Sequence, residues 1–190
     1  KALETAKTEI AEMAESVQNS VAEDITNADN AVAALTTAAE ASYAAGTSVA
    51  DAEKLAAAIA DVNAQIEALK KKAADNQAAY EANEKQHTAD LAAIAEVQKA
   101  LETAKTEIAE MAESVQNSVA EDITNADNAV AALTTAAEAS YAAGTSVADA
   151  EKLAAAIADV NAQIEALKKK AADNQAAYEA NEKQHTADLA

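Results

Sequence analysis

Residues 1–92 recur letter for letter as residues 99–190, and six residues, 93–98, complete the period between the two copies. Repetition at a fixed period of this length is the signature of a repeat array, in which stacked units bury a shared core. Sixty of the 190 residues are Ala, which favours helix but removes little apolar surface from water when it is buried. Helices of this composition need several close neighbours. We therefore expect the chain to be a segment of a longer array.

The charge balance and the missing residue types argue against several classes of function. The chain has 33 acidic residues against 14 basic ones, all of them Lys, and its net charge is −19. Without a basic surface it cannot neutralise phosphates, so we expect no nucleic-acid binding. No apolar run approaches the roughly 18 residues that a membrane span needs, so we expect no membrane insertion. The lack of Cys excludes disulfides and thiolate metal sites.

An apolar seam with steps of four and three residues runs along the chain from Leu55. Such steps place side chains on one face of a helix. The same steps of four and three continue through a polar stretch that contains Asn83 and His87, after which the residues at these positions are apolar again. This unbroken spacing predicts one continuous helix over residues 48–116. The predicted seam residues are Leu55, Ile59, Val62, Ile66, Leu69, Ile94, Val97, Leu101, Ile108, Met111 and Val115.

Two kinds of residue are predicted to end and restart the helices. Gly46 and Gly144 fit the position just after a helix, where a left-handed residue ends it. Ser48 and Ser146 follow as predicted N-caps.

A second break is predicted at a Ser-x-x-Glu capping box, which consists of Ser20 and Glu23 in the first copy and of Ser118 and Glu121 in the second. The apolar seam changes phase here, and a stutter within an unbroken helix would explain that change as well. Most of residues 19–30 are weak helix formers, which favours a turn here over an unbroken helix.

These boundaries give three helices per repeat, near residues 91–116, 119–143 and 146–171, whose short connections make neighbours antiparallel. The predicted fold class is all-α, with tandem three-helix bundles joined by a continuous connecting helix into an elongated rod. The sequence leaves open whether the helices bundle within one chain or between chains.

The repeat boundaries follow from the same pattern. Copy 1 is residues 1–98, with a bundle at 1–73, a helical connector at 74–90 and the start of the next helix at 91–98. Copy 2 is residues 99–190, with its bundle spanning 91–171 and its connector at 172–190.

The layout resembles spectrin-type repeats in its length and in its shared connecting helix, although the Trp residues typical of that family are absent. In its Ala/Glu/Lys-rich, Cys-free, near-identical repetition, the chain is also similar to alanine-rich helical stalk repeats of bacterial surface and fibrous proteins. That resemblance implies an extracellular or cell-surface location.

Two polar clusters are candidates for metal binding. Glu84 and His87 have the Glu-x-x-His spacing of di-iron bundles, but those sites need two further Glu and an apolar shell, so a solvated or inter-bundle His is favoured. The other cluster has the oxygen ligands that calcium prefers, but it lacks the EF-hand pattern. We therefore favour helix caps in a solvated turn for these residues, and calcium binding stays an open alternative. Its members are Glu23, Asp24, Asn27, Asp29 and Asn30.

The chain has no nucleophile elbow and no Gly-rich phosphate loop, so we expect no enzyme, no catalytic residue, no metal and no cofactor. The leading hypothesis is a structural repeat that acts as a rod or spacer, or that assembles into a filament. An adhesin-type repeat that binds a host or partner protein is the alternative, and lateral self-assembly is a third reading. Protein-binding interfaces are rich in Trp and Arg, and the absence of both from this chain argues against the adhesin alternative. The expected partners are neighbouring repeats and other copies of the chain.

Overall fold

The computed structural model describes residues 1–190, of which 92% are helical, and it contains no strand. The predicted all-α class is confirmed. The six helices are α1 (Ala2–Ala11), α2 (Glu15–Ser20), α3 (Ala22–Ala44), α4 (Ser48–Ala109), α5 (Glu113–Ala142) and α6 (Ser146–Asp188).

The chain divides into two compact units, which we call unit 1 (Lys1–Glu81) and unit 2 (Ala82–Ala190). The division falls inside α4 and precedes the boundary between the sequence copies by 17 residues. Unit 2 therefore begins with residues that belong to the first sequence copy.

The core of unit 2 combines side chains from three helical segments. Buried residues recur at helical spacing along the second part of α4, along α5 and along α6, so that each segment presents one apolar face to the other two. The larger members are Ile94, Val97, Leu101, Ile108, Val115, Val119, Val130, Leu133, Leu153, Val160, Ile164 and Leu167.

The core of unit 1 is shorter than that of unit 2. It joins α1 to the first part of α3 and to α4, and its larger members are Leu3, Ile10, Val21, Val62, Ile66 and Leu69. Towards the α3–α4 turn the apolar face opens to solvent. Ile59 is 44% exposed and Leu55 is half-buried, although both belong to the predicted seam.

The other predicted seam residues of α4 are buried. They are Val62, Ile66, Leu69, Ile94, Val97, Leu101 and Ile108. The prediction that this helix continues to residue 116 is wrong, because α4 ends at Ala109. Met111 lies half-buried in the following turn, and Val115 is buried as part of α5.

The predicted cap at Ser118 and Glu121 is also wrong. Both residues lie inside α5, where the Ser118 hydroxyl donates a hydrogen bond to the Val115 carbonyl at 2.7 Å. The phase change of the seam is thus accommodated within one helix, and the turn lies earlier, at residues 110–112.

In unit 1 the same sequence does have a helix boundary near the predicted place. Ser20 ends α2, and Glu23 lies in the first turn of α3. The Ser20 hydroxyl nevertheless donates to the Val17 carbonyl at 2.7 Å, and the N-cap of α3 is Val21, so the predicted capping box does not form. The main turn again lies earlier, at residues 12–14.

The predicted glycine stops are confirmed. Gly46 and Gly144 have φ values of 70° and 72°, in the left-handed region where glycine carries no Cβ penalty. Ser48 and Ser146 are instead the first residues of α4 and α6, and Thr145 holds the N-cap position of α6. The predicted Ser caps are therefore misplaced by one residue.

Candidate functional site

The polar interruption of the seam, within the connector at residues 74–90, contains amide side chains that satisfy the ends of other helices. Asn83 is 93% buried, at 7% exposure, and lies against the turn between α5 and α6. Its Oδ1 accepts a hydrogen bond from the Ser146 backbone N–H at 2.9 Å, and its Nδ2 donates to the Tyr141 carbonyl at 3.1 Å. One side chain thus satisfies an N–H at the start of α6 and adds a second hydrogen bond to a carbonyl at the end of α5, which also accepts the Gly144 N–H at 2.9 Å. Such groups have no partner within their own helices.

His87 lies one turn further along α4 and packs on the same end of α5. Its ring stacks on the Tyr141 ring, with centroids 4.3 Å apart and an interplanar angle of 14°. Its Nε2 lies 3.6 Å from Glu138 Oε1, and the side chain is 13% exposed. The buried Nδ1 has no hydrogen-bond partner. His87 is therefore a packing residue within unit 2, at the end of α5, rather than a solvated residue or a contact between bundles.

Hydrogen bonds between residues in and beside the α5–α6 turn also stabilise it. The Thr145 and Ser140 hydroxyls donate to Asp149 Oδ2 at 2.6 and 2.9 Å. These bonds, the one from Thr145 first, lower the pKa of the Asp149 carboxyl from its ordinary value of 3.8. Unit 1 has the same arrangement, in which Thr47 and Ser42 donate to Asp51 and lower its pKa. The turn is thus formed by local contacts in both units.

A glutamine from a later helix caps the first turn of each unit, at the N-cap of α5 in unit 2 and at the N-cap of α2 in unit 1. Gln175 Oε1 accepts a hydrogen bond from the N–H of Ala112, the N-cap of α5, at 3.0 Å. Gln77 does the same for Ala14 in unit 1, also at 3.0 Å. The caps made by Gln77, Gln175 and Asn83 each bridge 63 residues of sequence. Their only sequence signal is an uncharged amide on or next to the apolar seam.

Lysine ammonium groups form ion pairs with part of the acidic cluster at residues 23–30. Asp24 accepts a hydrogen bond from Lys72 at 2.6 Å, and Asp29 forms an ion pair with Lys7. The bond to Asp29 raises the pKa of Lys7 above its ordinary value. No group of three or more His, Cys, Asp or Glu side chains is arranged to hold a metal ion. These acids therefore form ion pairs across each unit, which at such exposed positions add little stability.

The connector sequence recurs at the end of α6, where its environment differs. Residues 180–190 repeat residues 82–92, so Asn181 and His185 are the counterparts of Asn83 and His87. Every residue from 179 to 190 is exposed to solvent. The capping groups that are buried in unit 2 are thus present a second time on an uncovered helix.

None of the helices combines the length with the apolar character that would let it cross a lipid bilayer. Comparison of the chain with protein families, curated proteins and solved structures gives no significant match.

Proposed function

We propose that the chain is a structural repeat of a fibrous or cell-surface protein. In this proposal tandem three-helix bundles, laid out like spectrin-type repeats, are joined by a continuous connecting helix. The resulting rod or spacer sets length or assembles into a filament.

The observation that carries the proposal is the position of the caps along α4. Within six residues of this one helix, Gln77 caps a turn of unit 1 and Asn83 caps a turn of unit 2. A break in α4 between them would separate the two caps. Continuity of the connecting helix is thus tied to the folding of both units, as expected when neighbouring repeats stabilise one another.

The proposal predicts how length grows with the number of copies. Each period would advance by the 62 residues of a helix such as α4 and double back by the 30 residues of one such as α5. At 1.5 Å per residue the net rise is about 48 Å. A single-file helix would rise about 147 Å over its 98 residues.

Small-angle scattering from chains of two, three and four copies tests this prediction. The maximum dimension should increase by about 50 Å for each copy. Increments near 147 Å, or growth as a compact particle, would contradict it.

A matched pair of variants at an exposed position of α4 isolates the connecting helix. Ala79→Pro should remove the regular increment, because an internal proline breaks the helix at a cost of about 3 kcal/mol, whereas Ala79→Ser should preserve it.

A further inference from the structure

A buried acid lines an open groove on the surface of unit 2. The groove has a volume of about 390 Å³ and lies between α4 and the first part of α6. Its apolar wall consists of alanines from both helices and of Ile157, and its polar lining consists of Gln86, Asp90 and Glu151. All of these residues belong to unit 2, in which three helical segments share one core. The groove is therefore a feature of a complete three-helix core.

Asp90 is buried in this groove without a counter-ion. It occupies a position of the α4 seam and is 7% exposed. Its Oδ1 accepts a hydrogen bond from the neutral Gln86 amide at 2.8 Å. Its Oδ2 accepts none and is not enclosed by protein as His87 Nδ1 is, so it opens into the groove. A buried carboxylate without an opposite charge is energetically unfavourable, and a cation in the groove would relieve that cost.

No lysine of unit 2 supplies this cation. Glu151, on the α6 side of the groove, forms no ion pair either, and no lysine lines the groove. The lysine ion pairs of unit 2 involve other acids, namely Glu102, Glu107, Asp122, Asp127, Glu165 and Asp173. The groove thus combines two carboxyl groups with an apolar wall and has no positive charge of its own.

The chemistry of the groove favours an ammonium ion on an apolar stem over other cations. A metal ion needs more oxygen ligands, and no group of three or more His, Cys, Asp or Glu side chains is arranged to hold one. A guanidinium group binds best to both oxygens of a carboxylate, but Asp90 Oδ1 is already bonded to Gln86. A lysine ammonium group is a point charge for which Oδ2 suffices, and its methylene stem can pack on the alanines.

We propose that this groove binds a lysine side chain of a basic partner protein. The ammonium group binds Asp90 Oδ2, with Glu151 on the opposite wall, and the stem lies against the alanines and Ile157. The net charge of −19 attracts a basic partner and repels a second copy of the chain, which decides between these two occupants. The inference goes beyond the rod function, because it adds a ligand site to the surface of the rod.

The probe is a labelled seven-residue peptide with one central lysine and no other charge. Fluorescence anisotropy follows its titration with the 190-residue chain at physiological salt, which screens general attraction to an acidic surface. We expect saturable binding of one peptide per chain. A peptide with arginine in place of lysine should bind more weakly. A norleucine peptide, which keeps the stem and loses the charge, should show no binding.

Two matched pairs of variants place the peptide in the groove. Asp90→Asn should weaken binding about tenfold, whereas Asp159→Asn removes the same charge from an exposed position of α6 and should leave binding unchanged. Ala154→Leu fills the groove from an exposed position in its lining and should weaken binding by a similar factor. Ala155→Leu adds the same side chain at the next exposed position, outside the lining, and should have no effect. Circular dichroism verifies that each variant keeps its helix content.

Equal binding by the wild type and Asp90→Asn would overturn the proposal. An equal loss for Asp159→Asn would do the same, since it would indicate general attraction to an acidic chain, and binding of the norleucine peptide would reduce the contact to an apolar one. Displacement of the peptide by an equal concentration of n-butylammonium would assign the groove to a free amine instead. Self-association that Asp90→Asn abolishes, measured by sedimentation equilibrium, would assign it to a second copy. The length increments of the rod do not depend on any of these outcomes.

Discussion

Asn83 and Ser146 are 63 residues apart in the sequence, and the Asn83 amide oxygen accepts the Ser146 backbone N–H at 2.9 Å in the interior of unit 2. The donor lies at the start of α6, where a helix cannot satisfy its own N–H groups. The seam is therefore polar at Asn83 because it passes a turn, whereas Ile94 and Val97 pack in the apolar core.

Replacement of this asparagine should destabilise unit 2 strongly. Asn83→Ala leaves the Ser146 N–H buried without a partner, and we expect a loss of about 1–3 kcal/mol in the free energy of unfolding. Asn181→Ala is the matched control, because the same residue is exposed there and its replacement should change stability by less than about 0.5 kcal/mol. Urea denaturation measures both. Equal effects of the two substitutions would contradict the cap.

Hydrogen exchange should distinguish the two copies at the end of the middle helix. The amides of residues 37–45 should exchange faster than those of 135–143, because unit 1 is more exposed near the α3–α4 turn and local opening there costs less. Residues 26–30 and 124–128 surround Ala28 and Ala126, which are both 2% exposed, and should exchange at similar rates. Equal protection of 37–45 and 135–143 in a verified monomer would show that the exposure difference does not affect opening.

The hydroxyl bonds to Asp149 predict loss of stability in acid. Because the folded-state pKa is lowered, the ionised carboxyl stabilises the fold above its ordinary pKa of 3.8, and this contribution disappears as the pH falls through the lowered value. Asp149→Asn should therefore be less stable than the wild type at pH 7 and equal to it at the lowest pH. Thermal denaturation as a function of pH measures the difference.

The control for this titration is Asp159→Asn, an exposed substitution on the same helix that should produce no such convergence. A difference between Asp149→Asn and the wild type that stays constant down to pH 2 would exclude the carboxyl as its source.

The glycine at the α5–α6 turn should resist substitution because of its backbone alone. A Cβ at Gly144 would meet no atom within 4 Å, so the cost of Gly144→Ala comes from φ = 72° and should be about 1–2 kcal/mol. Gly144→Asn should cost less, because Asn tolerates the left-handed region. Calorimetric melting of the two variants makes the comparison. A similar loss for Ala and Asn would point to a cause other than φ.

The local signals in the sequence predicted one of the two turns. Gly144 is visible as a helix stop because its role depends on its own backbone angle. The turn at residues 110–112 contains no Gly, Pro, Ser or Asn, and its N-cap is Ala112, which Gln175 satisfies from 63 residues away. The nearby capping box of Ser118 and Glu121 is a stronger local signal, but it predicted the turn in the wrong place. A cap that comes from a distant helix leaves no mark at the turn itself.

The same distinction applies to the candidate site. The seam frame placed Asn83 and His87 on the inner face of the helix, which their burial agrees with. Their partners Ser146 and Tyr141 could not be predicted, because the pairing depends on how far α4 is shifted along α5, which no local signal in the sequence sets.

The unbroken course of α4 through a repeated sequence bears on how such a gene changes length. Cutting the chain anywhere in residues 48–92 and rejoining it one period later brings together residues that are already neighbours in the other copy. Unequal crossing-over between copies then adds or deletes 98 residues without creating a new junction in the polypeptide. Length then varies in whole steps of 98 residues, and every junction in the product is one that the parent sequence already contains.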